Sequence, residues 1–258
     1  MVKKWKRGKV RMAAAVRPDR MPAWIMAGLL VVGVLTGRAA ADQPAAAHFD
    51  GAGRLVLLVN GGDPLPVAGE IRAAGPAWAF TGQVTPWSAT GVTYAVDSEG
   101  VQIWRGGLAL PHGGRIRYEQ RVEFRSGGVA LRLAVTAENQ FPTEGVFYYL
   151  QLPVRAFEGA RADLQRGTAT VESAVLPGIP RTGAEAVFLK GEADRVRINV
   201  GGRTVAVALD APRRLAIQDD RGWNATTYSL VVPLGTRPGL VRPGDTFRLR
   251  LDLALEGE

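Results

Sequence analysis

The most regular pattern in the chain is an alternation of hydrophobic and polar residues. At residues 115–125 every odd position is charged, and the even positions are Ile, Tyr, Gln, Val and Phe. A period of two is typical of a β-strand with one buried and one solvated face. The Ser-Gly-Gly at 126–128 predicts a tight turn, because glycine tolerates the positive φ that such turns need. Residues 129–135 alternate again, so the pattern predicts a long antiparallel hairpin.

The same period recurs further along the chain. Residues 195–209 form two alternating segments around Gly-Gly, and residues 247–255 place Phe or Leu at every odd position. Residues 147–152 are an aromatic and apolar run, and Gly/Pro-rich turns separate these segments. Many strands at short spacing, without a convincing helical period, favour a sandwich or barrel. We therefore predict an all-β fold, a large antiparallel β-sandwich.

The N-terminus has the three segments of a secretory signal peptide. Basic residues come first, an apolar run spans 23–35, and three alanines end at residue 41. The apolar run is shorter than the about 20 residues that cross a bilayer. We predict a signal peptide at 1–41, a mobile tail at 42–48 and one sandwich domain at 49–258. The protein would then be periplasmic or extracellular, without stable membrane insertion once the signal is removed. An uncleaved membrane anchor is the alternative.

The leader also accounts for the charge of the chain. The formal net charge is +8, but nine of the 32 Lys and Arg and one of the 24 Asp and Glu lie in the leader, which leaves 23 of each. A neutral domain has no overall field to attract phosphate backbones, so we predict no nucleic-acid partner. The chain has no cysteine, which excludes disulfides, thiolate metal sites and a thiol nucleophile.

Two groups of residues are candidates for ligand binding. The first is the charged face of the hairpin, centred on Arg117, Glu119 and Arg121, because arginine forks bind carboxylates and sugar hydroxyls. The alternative is a solvated outer face with cross-strand Arg–Glu pairs. The second group is the loop that contains Asp219, Asp220, Arg221 and Trp223. Carboxylates can accept from sugar hydroxyls and an indole can stack on a sugar ring. The alternative is an ordinary turn whose Asp side chains bond the backbone.

Other residues give weaker signals for chemistry. Glu138 and Glu144 could form an acid/base pair, or they could belong to a polar connection. The tryptophans Trp78, Trp87 and Trp104 are expected in the core, although an exposed trio would be a sugar platform. The only histidines are His48 and His112, and we expect both at the surface. The sequence contains no Walker loop, zinc spacing or nucleophile elbow, so we predict no cofactor and no metal.

Residues 118–157 also resemble part of the galactose-mutarotase-like supersandwich. The resemblance lies in a charged strand, a Gly-Gly turn, the run Val-Ala-Leu-Arg-Leu-Ala-Val-Thr-Ala-Glu-Asn and an aromatic strand that ends in Leu-Pro. The fold recurs in aldose epimerases, polysaccharide lyases and several glycosidases. In the epimerases a histidine typically follows the Asn-bearing strand. Residues 145–152 hold Phe-Tyr-Tyr and no histidine here. The resemblance therefore implies a sugar-associated sandwich without epimerase chemistry.

Three functions remain open on the sequence alone. The favoured one is an exported, non-catalytic module that binds a polysaccharide or oligosaccharide. The second is a glycan-active enzyme of glycosidase or lyase type, using a carboxylate pair such as Glu138 with Glu144 or Asp219 with Asp220. The third is a structural or assembly protein of the cell envelope. The scarcity of histidine favours binding over catalysis. Neither the ligand nor the oligomeric state follows from the sequence.

Overall fold

The computed structural model describes residues 47–60, 63–83, 89–110, 113–235 and 239–257. The predicted signal peptide and most of the predicted tail lie outside these residues. The division of the chain into leader, tail and one domain therefore stays a prediction. Among the described residues, no helix is long and apolar enough to cross a membrane.

The described chain consists almost entirely of strands. They are β1 (Ala47–Phe49), β2 (Leu55–Asn60), β3 (Asp63–Leu65), β4 (Ala68–Ala74), β5 (Phe80–Gly82), β6 (Ala89–Val96), β7 (Gln102–Ala109), β8 (Arg115–Arg125), β9 (Gly128–Ala137), β10 (Phe141–Thr143), β11 (Gly145–Pro153), β12 (Arg161–Arg166), β13 (Ala169–Val175), β14 (Val187–Val200), β15 (Arg203–Asp219), β16 (Thr227–Gly235), β17 (Gly239–Val241) and β18 (Thr246–Gly257). Helix α1 (Val154–Phe157) is one turn long, and 3₁₀ turns lie at Pro76–Trp78, Gly183–Ala186 and Asp220–Trp223. This confirms the predicted all-β class.

One large antiparallel sheet contains most of the strands. Its order is β1-β2-β4-β11-β16-β15-β18-β9-β8-β7-β6. Strands β3, β5, β12, β13 and β14 pair beside this path, and β10 and β17 form a separate pair. The predicted hairpin is β8 and β9, with Arg125 opposite Gly128 at its turn. Gly127 there has φ 76°, in the left-handed region that glycine enters at no steric cost.

The sheet folds over on itself because the two ends of β15 pair with strands in different halves of the sheet. The first part of β15, Arg203 to Leu209, pairs with β18, and its last part, Ala216 to Asp219, pairs with β16. We call β6, β7, β8, β9 and β18 the hairpin layer. We call β1, β2, β4, β11 and β16 the β11 layer. The first end of the sheet returns onto the hairpin layer, where the hydroxyl of Tyr118 donates to the carbonyl of Ala52 at 3.0 Å. The result is a two-layer sandwich, as predicted.

Alternation explains how the core is filled. The inward residues of β8, β9 and β18 are apolar almost throughout, and those of β11 and β16 face them from the other layer. The inward positions of the five strands include Ile116, Tyr118, Val122, Val129, Leu131, Leu133, Leu249, Leu251, Leu253, Tyr148, Leu150, Leu152, Tyr228, Leu230 and Val232. Because the period is two, each strand necessarily presents a second set of residues outward. The two layers thus have two outer faces, which point away from each other.

Candidate functional site

The charged residues of β8 lie on the outer face of the hairpin layer. Their partners are side chains on the same face. Arg105 contacts Glu119 at 2.7 Å and Arg121 contacts Asp97 at 3.1 Å. Arg117, whose side chain is 73% exposed, contacts Glu138 at 2.6 Å. Exposed pairs of this kind contribute little to stability, because water screens both charges.

Asp219 and Arg221 form a clamp that fastens a neighbouring loop. The Arg221 guanidinium lies 2.7 Å from the Asp219 carboxylate and also donates to the carbonyls of Pro177 at 2.6 Å and Gly178 at 2.8 Å. The Asp219 carboxylate accepts from the backbone N–H of Arg181 and of Arg221 at 2.9 Å and 3.1 Å. The clamp therefore joins the end of β15 to residues 177–181. Its groups are engaged within the protein, which is the turn alternative raised from the sequence.

The electrostatics of Asp219 agree with this role. The side chain is fully buried, and burial by itself raises the pKa of its carboxyl. The hydrogen bonds from Arg221 and from the two backbone N–H groups outweigh burial, so the pKa lies below its ordinary value. The carboxylate stays ionised at neutral pH and holds the guanidinium in place.

Asp220 points elsewhere, although it follows Asp219 directly. Its carboxylate accepts from the side chains of Gln218 at 2.7 Å, Thr227 at 3.0 Å and Ser229. Ser229 lies on the outer face of β16, since Tyr228 and Leu230 on either side of it enter the core. Asp220 is 6% exposed, and no arginine or lysine in the described ranges pairs with it. It is a buried carboxylate held by neutral donors.

The structure does not bring the predicted binding residues into one site. Arg117, Glu119 and Arg121 are on the outer face of the hairpin layer, whereas Asp220 is over the outer face of the β11 layer. The core lies between the two faces. Asp219 and Arg221 are occupied in the clamp. The two groups of residues therefore do not form one pocket, and a ligand role for each residue stays a prediction.

The remaining sequence candidates also separate. Trp104 is 5% exposed and packs between Phe49 and Tyr94, at ring distances of 5.4 Å and 5.0 Å, so it belongs to the core as predicted. Trp78 is 55% exposed, against the prediction of a core residue. Trp223 is also exposed. Glu138 is engaged by Arg117, and its pairing with Glu144 stays a prediction. His48 is exposed in β1 as predicted, whereas Trp87 and His112 lie outside the described residues.

A group of polar and aromatic residues on the β11 layer was missed by the sequence analysis. We call it the β11 face, the outer side of β4, β11, β16 and the end of β15. Its members are Glu70, Arg72, Phe147, Tyr149, Gln151, Gln218, Asp220 and Ser229. Tyr149 is central, because the register places it opposite Glu70 on one side and Val231 on the other. The signal was present as the alternation Glu-Ile-Arg at 70–72, but residues 147–152 are an aromatic and apolar run, and the structure buries nearly all of them.

Aromatic rings line one side of this face. Trp78 stacks on Phe147 with centroids 6.1 Å apart and an interplanar angle of 29°. Phe147 meets Tyr149 edge-on at 6.1 Å and 86°. The guanidinium of Arg72 lies 4.5 Å above the Tyr149 ring, a cation–π arrangement. The exposed indole thus forms the outer rim of a continuous aromatic row.

The backbone that holds Trp78 is strained. Ala77 and Trp78 have φ values of 57° and 59°, in the left-handed region that residues with a Cβ rarely enter. Hydrogen bonds close the turn, from the N–H of Trp78 to the carbonyl of Gly75 at 3.1 Å and from the N–H of Gly75 to Ala79 at 2.9 Å. Strain of this kind costs of order 1–3 kcal/mol per residue and collects at functional sites. Here it keeps an indole at the rim of the β11 face.

Carboxylates lie on both sides of Tyr149. Glu70 is fully buried and contacts Arg72 at 2.5 Å. Burial raises the pKa of Tyr149 well above its usual range, and the Arg72 guanidinium opposes that rise. The carboxylates of Asp220 and Glu70 add to it. The phenol is therefore protonated at neutral pH and can donate a hydrogen bond.

The described residues also include His, Asp and Glu side chains, which are potential metal ligands. Within the described ranges, no three or more His, Asp or Glu side chains come close enough together to hold a metal ion. The β11 face contains carboxylates, one phenol, one guanidinium and stacked rings.

Comparisons with known proteins concern the fold. No family model matches the sequence, and no curated protein matches it. A galactose mutarotase-like protein from Lactobacillus casei ATCC 334 is 10% identical and superposes with a TM-score of 0.53, over 81% of this chain and 96% of that chain. A putative aldose 1-epimerase from Escherichia coli K12 is 14% identical with a TM-score of 0.44, over 83% of this chain and 82% of that chain. The first match confirms the resemblance seen in residues 118–157, so the fold is similar to that of a galactose mutarotase-like protein.

Proposed function

We propose that this protein binds a carbohydrate on the β11 face and does not chemically convert it. The observation that carries the proposal is the combination of buried carboxylates, Glu70 and Asp220, with an aromatic row that ends in the exposed Trp78. Sugars present hydroxyl groups around their edges and C–H groups on their ring faces. Carboxylates accept hydrogen bonds from the hydroxyls, and an indole stacks on the C–H face.

The arrangement of the face supports a ring-shaped, polar ligand. Ligand sites usually combine apolar walls with a few fixed polar groups. Here Asp220 is held by three donors and Glu70 by Arg72, so both carboxylates have fixed positions. Preorganised groups lose less entropy on binding. The fold likeness to a galactose mutarotase-like protein agrees with a sugar ligand, as a fold-level analogy.

The proposal places the protein outside the cytoplasm. The support is the basic, apolar and small-residue order of the leader. The polysaccharide or oligosaccharide that it binds would then also lie outside the cytoplasm. The non-catalytic reading is supported by residues 145–152, which hold no histidine at the place where the resemblance to epimerases would put one.

A glycan array with two matched tryptophan variants tests the proposal. Trp78→Ala removes the indole at the rim of the β11 face, and Trp223→Ala removes an exposed indole from the 3₁₀ turn that follows β15. We expect the native protein to retain at least one glycan, Trp78→Ala to lose about tenfold in affinity or more, and Trp223→Ala to stay close to native. Loss in Trp223→Ala alone would move the site to the turn. No retention of any glycan would refute the proposal and favour a structural role in the cell envelope.

A glycan-active enzyme is the second candidate. The observation that favours it is that two buried carboxylates, Glu70 and Asp220, lie on one face with Tyr149 between them. Paired carboxylates on either side of a sugar are the usual machinery of glycoside hydrolysis. Release of reducing ends from a polysaccharide panel, lost in Asp220→Asn, would establish this candidate over binding alone. Absence of release from a glycan that the protein retains would exclude it.

A further inference from the structure

Three arginines lie side by side on the outer face of the hairpin layer. The register places Arg121 of β8 directly opposite Arg132 of β9, and Arg132 directly opposite Arg250 of β18. We call these three residues the arginine row. Neighbouring strands are about 4.8 Å apart, so three positive charges follow one another across the sheet. Like charges directly opposite each other on a sheet face are destabilising. Nearby carboxylates are therefore needed to offset the repulsion within the row.

The carboxylate partners become fewer along the row. Arg121 contacts Asp97 at 3.1 Å and Glu119 at 3.8 Å. Arg132 reaches a carboxylate oxygen, that of Glu123, only at 3.9 Å, and its side chain is 58% exposed. Arg250 is exposed and forms no ion pair with any residue that the structure describes. The end of the row at β18 therefore has unneutralised positive charge.

The pKa of Glu123, a neighbouring carboxyl group, reflects the positive charge of these arginines. The pKa of Glu123 is lowered, first by its hydrogen bond with Arg125 and then, after a smaller opposing effect of burial, by the charges of Arg125, Arg132 and Arg250. Three guanidinium groups therefore lie close enough to Glu123 to favour its ionised form.

The same face contains two neighbouring cavities. One, of about 380 Å³, is lined by Arg121 and Arg132, by the carboxylates of Asp97, Glu99 and Glu123, and by Val101 and Ala130. The charged side chains that line the other, of about 260 Å³, are Arg125, Arg195, Arg197, Asp252 and Glu256. The cavities adjoin, because Ala130 of the first lies directly opposite Asp252 of the second.

Small residues form the floor between these charged walls. Outward positions next to the row are occupied by Gly128, Ala130, Ala206, Ala208 and Ala254. Long charged side chains surround this floor, so the two cavities make one groove that runs across the strands. A groove of this shape accommodates an extended chain and is not closed around a small molecule.

We propose that the arginine row and the adjoining groove bind an acidic polysaccharide, whose carboxylates contact Arg132 in the groove and Arg250 directly beside it. Arginine forks bind carboxylates with two parallel hydrogen bonds. Glu123 and Asp252 lie between the arginines of the groove and provide acceptors for sugar hydroxyls. A nucleic acid fits less well, because these carboxylates would face its continuous row of phosphates. The site lies on the face opposite the β11 face. A negative result for this site would therefore not contradict the function proposed above.

Polygalacturonate and its methyl ester are a matched pair of probes, since they share a backbone and differ in free carboxylates. We expect the full protein to bind polygalacturonate, with an affinity that falls as salt is raised, and to bind the methyl ester much more weakly. Affinity electrophoresis or calorimetry measures both. Equal binding of the two polymers, or binding that does not respond to salt, would overturn the proposal.

Arginine variants locate the site. Arg132→Gln and Arg250→Gln should each weaken binding about tenfold, and the double variant by more. Arg155→Gln is the control, because Arg155 is an exposed arginine on α1 without an ion pair in the described chain. Thermal melts should show no loss of stability, since each change removes a like-charge neighbour. Undiminished binding by the double variant would refute the site, and tighter binding of single-stranded DNA with the same arginine dependence would replace the polysaccharide by nucleic acid.

Discussion

Replacing Arg221 by methionine tests whether the Asp219–Arg221 pair is a clamp or part of a ligand site. Methionine keeps much of the length of the side chain but removes the guanidinium. The change deletes the ion pair with Asp219 at 2.7 Å and the hydrogen bonds to the carbonyls of Pro177 and Gly178. Asp219, which is fully buried, then keeps only its two backbone donors, from Arg181 and from residue 221 itself.

The expected cost follows from burial. Removing one partner of a buried ion pair costs about 3–5 kcal/mol, because the other charge is left uncompensated. The two backbone hydrogen bonds that Asp219 retains favour the lower end, about 3 kcal/mol at neutral pH. For a domain of this size each kcal/mol lowers Tm by about 2–4 °C, so we expect a fall of about 6–12 °C. Asp219→Asn combined with Arg221→Met should cost less than the two single changes added together, because the stranded charge is gone.

The pH dependence has a defined sign. The pKa of Asp219 is lower in the folded state than its unfolded value of about 3.9. Its contribution to stability is therefore complete above about pH 4 and is lost as pH falls through the folded pKa. Denaturation by urea, measured from neutral to acid pH, should show the gap between the native protein and Asp219→Asn closing in acid. A cost below about 1 kcal/mol for Arg221→Met, or a gap that does not change with pH, would refute the clamp.

Two further changes probe the core. Gly69→Ala should destabilise the protein by about 1–3 kcal/mol in urea denaturation, because a Cβ at that position would overlap the buried hydroxyl of Tyr148. Tyr148→Phe should cost little stability by itself, since the hydroxyl has no hydrogen-bond partner among the described residues. Combined with Gly69→Ala it should recover part of the stability that Gly69→Ala loses. A double variant as unstable as Gly69→Ala alone would contradict this explanation. Trp104→Ala should cost about 3–5 kcal/mol by opening a cavity beside Phe49, and a cost near zero would show that the indole does not support the core.

The sequence was informative where one physical rule decides the outcome. In β8, β9 and β18 the alternation specifies which residues face the core, because a slip of one residue would expose every apolar side chain. The turn at Gly127 was equally clear, since few residues other than glycine accept its backbone angle. These features depend only on neighbours along the chain.

The sequence did not show in the same way which distant strands pair with each other. The alternating segment that the sequence showed ends at residue 209, but β15 continues to Asp219 and joins both layers. Nothing local indicates that one strand will pair with β18 in its first part and with β16 in its last part. That choice depends on which layers must close over the core.

The candidate sites illustrate the same limit. Asp219 and Asp220 are adjacent and looked equivalent in the sequence, yet one closes a clamp and the other turns to the outer face of β16. Glu70, Tyr149 and Asp220 are far apart in the chain and come together only because β4, β11 and β16 are neighbours. The sequence by itself determined the period, the turns and the inward residues, since these follow from local geometry. The tertiary structure alone decided which outward residues share a face, because that depends on strand order and register.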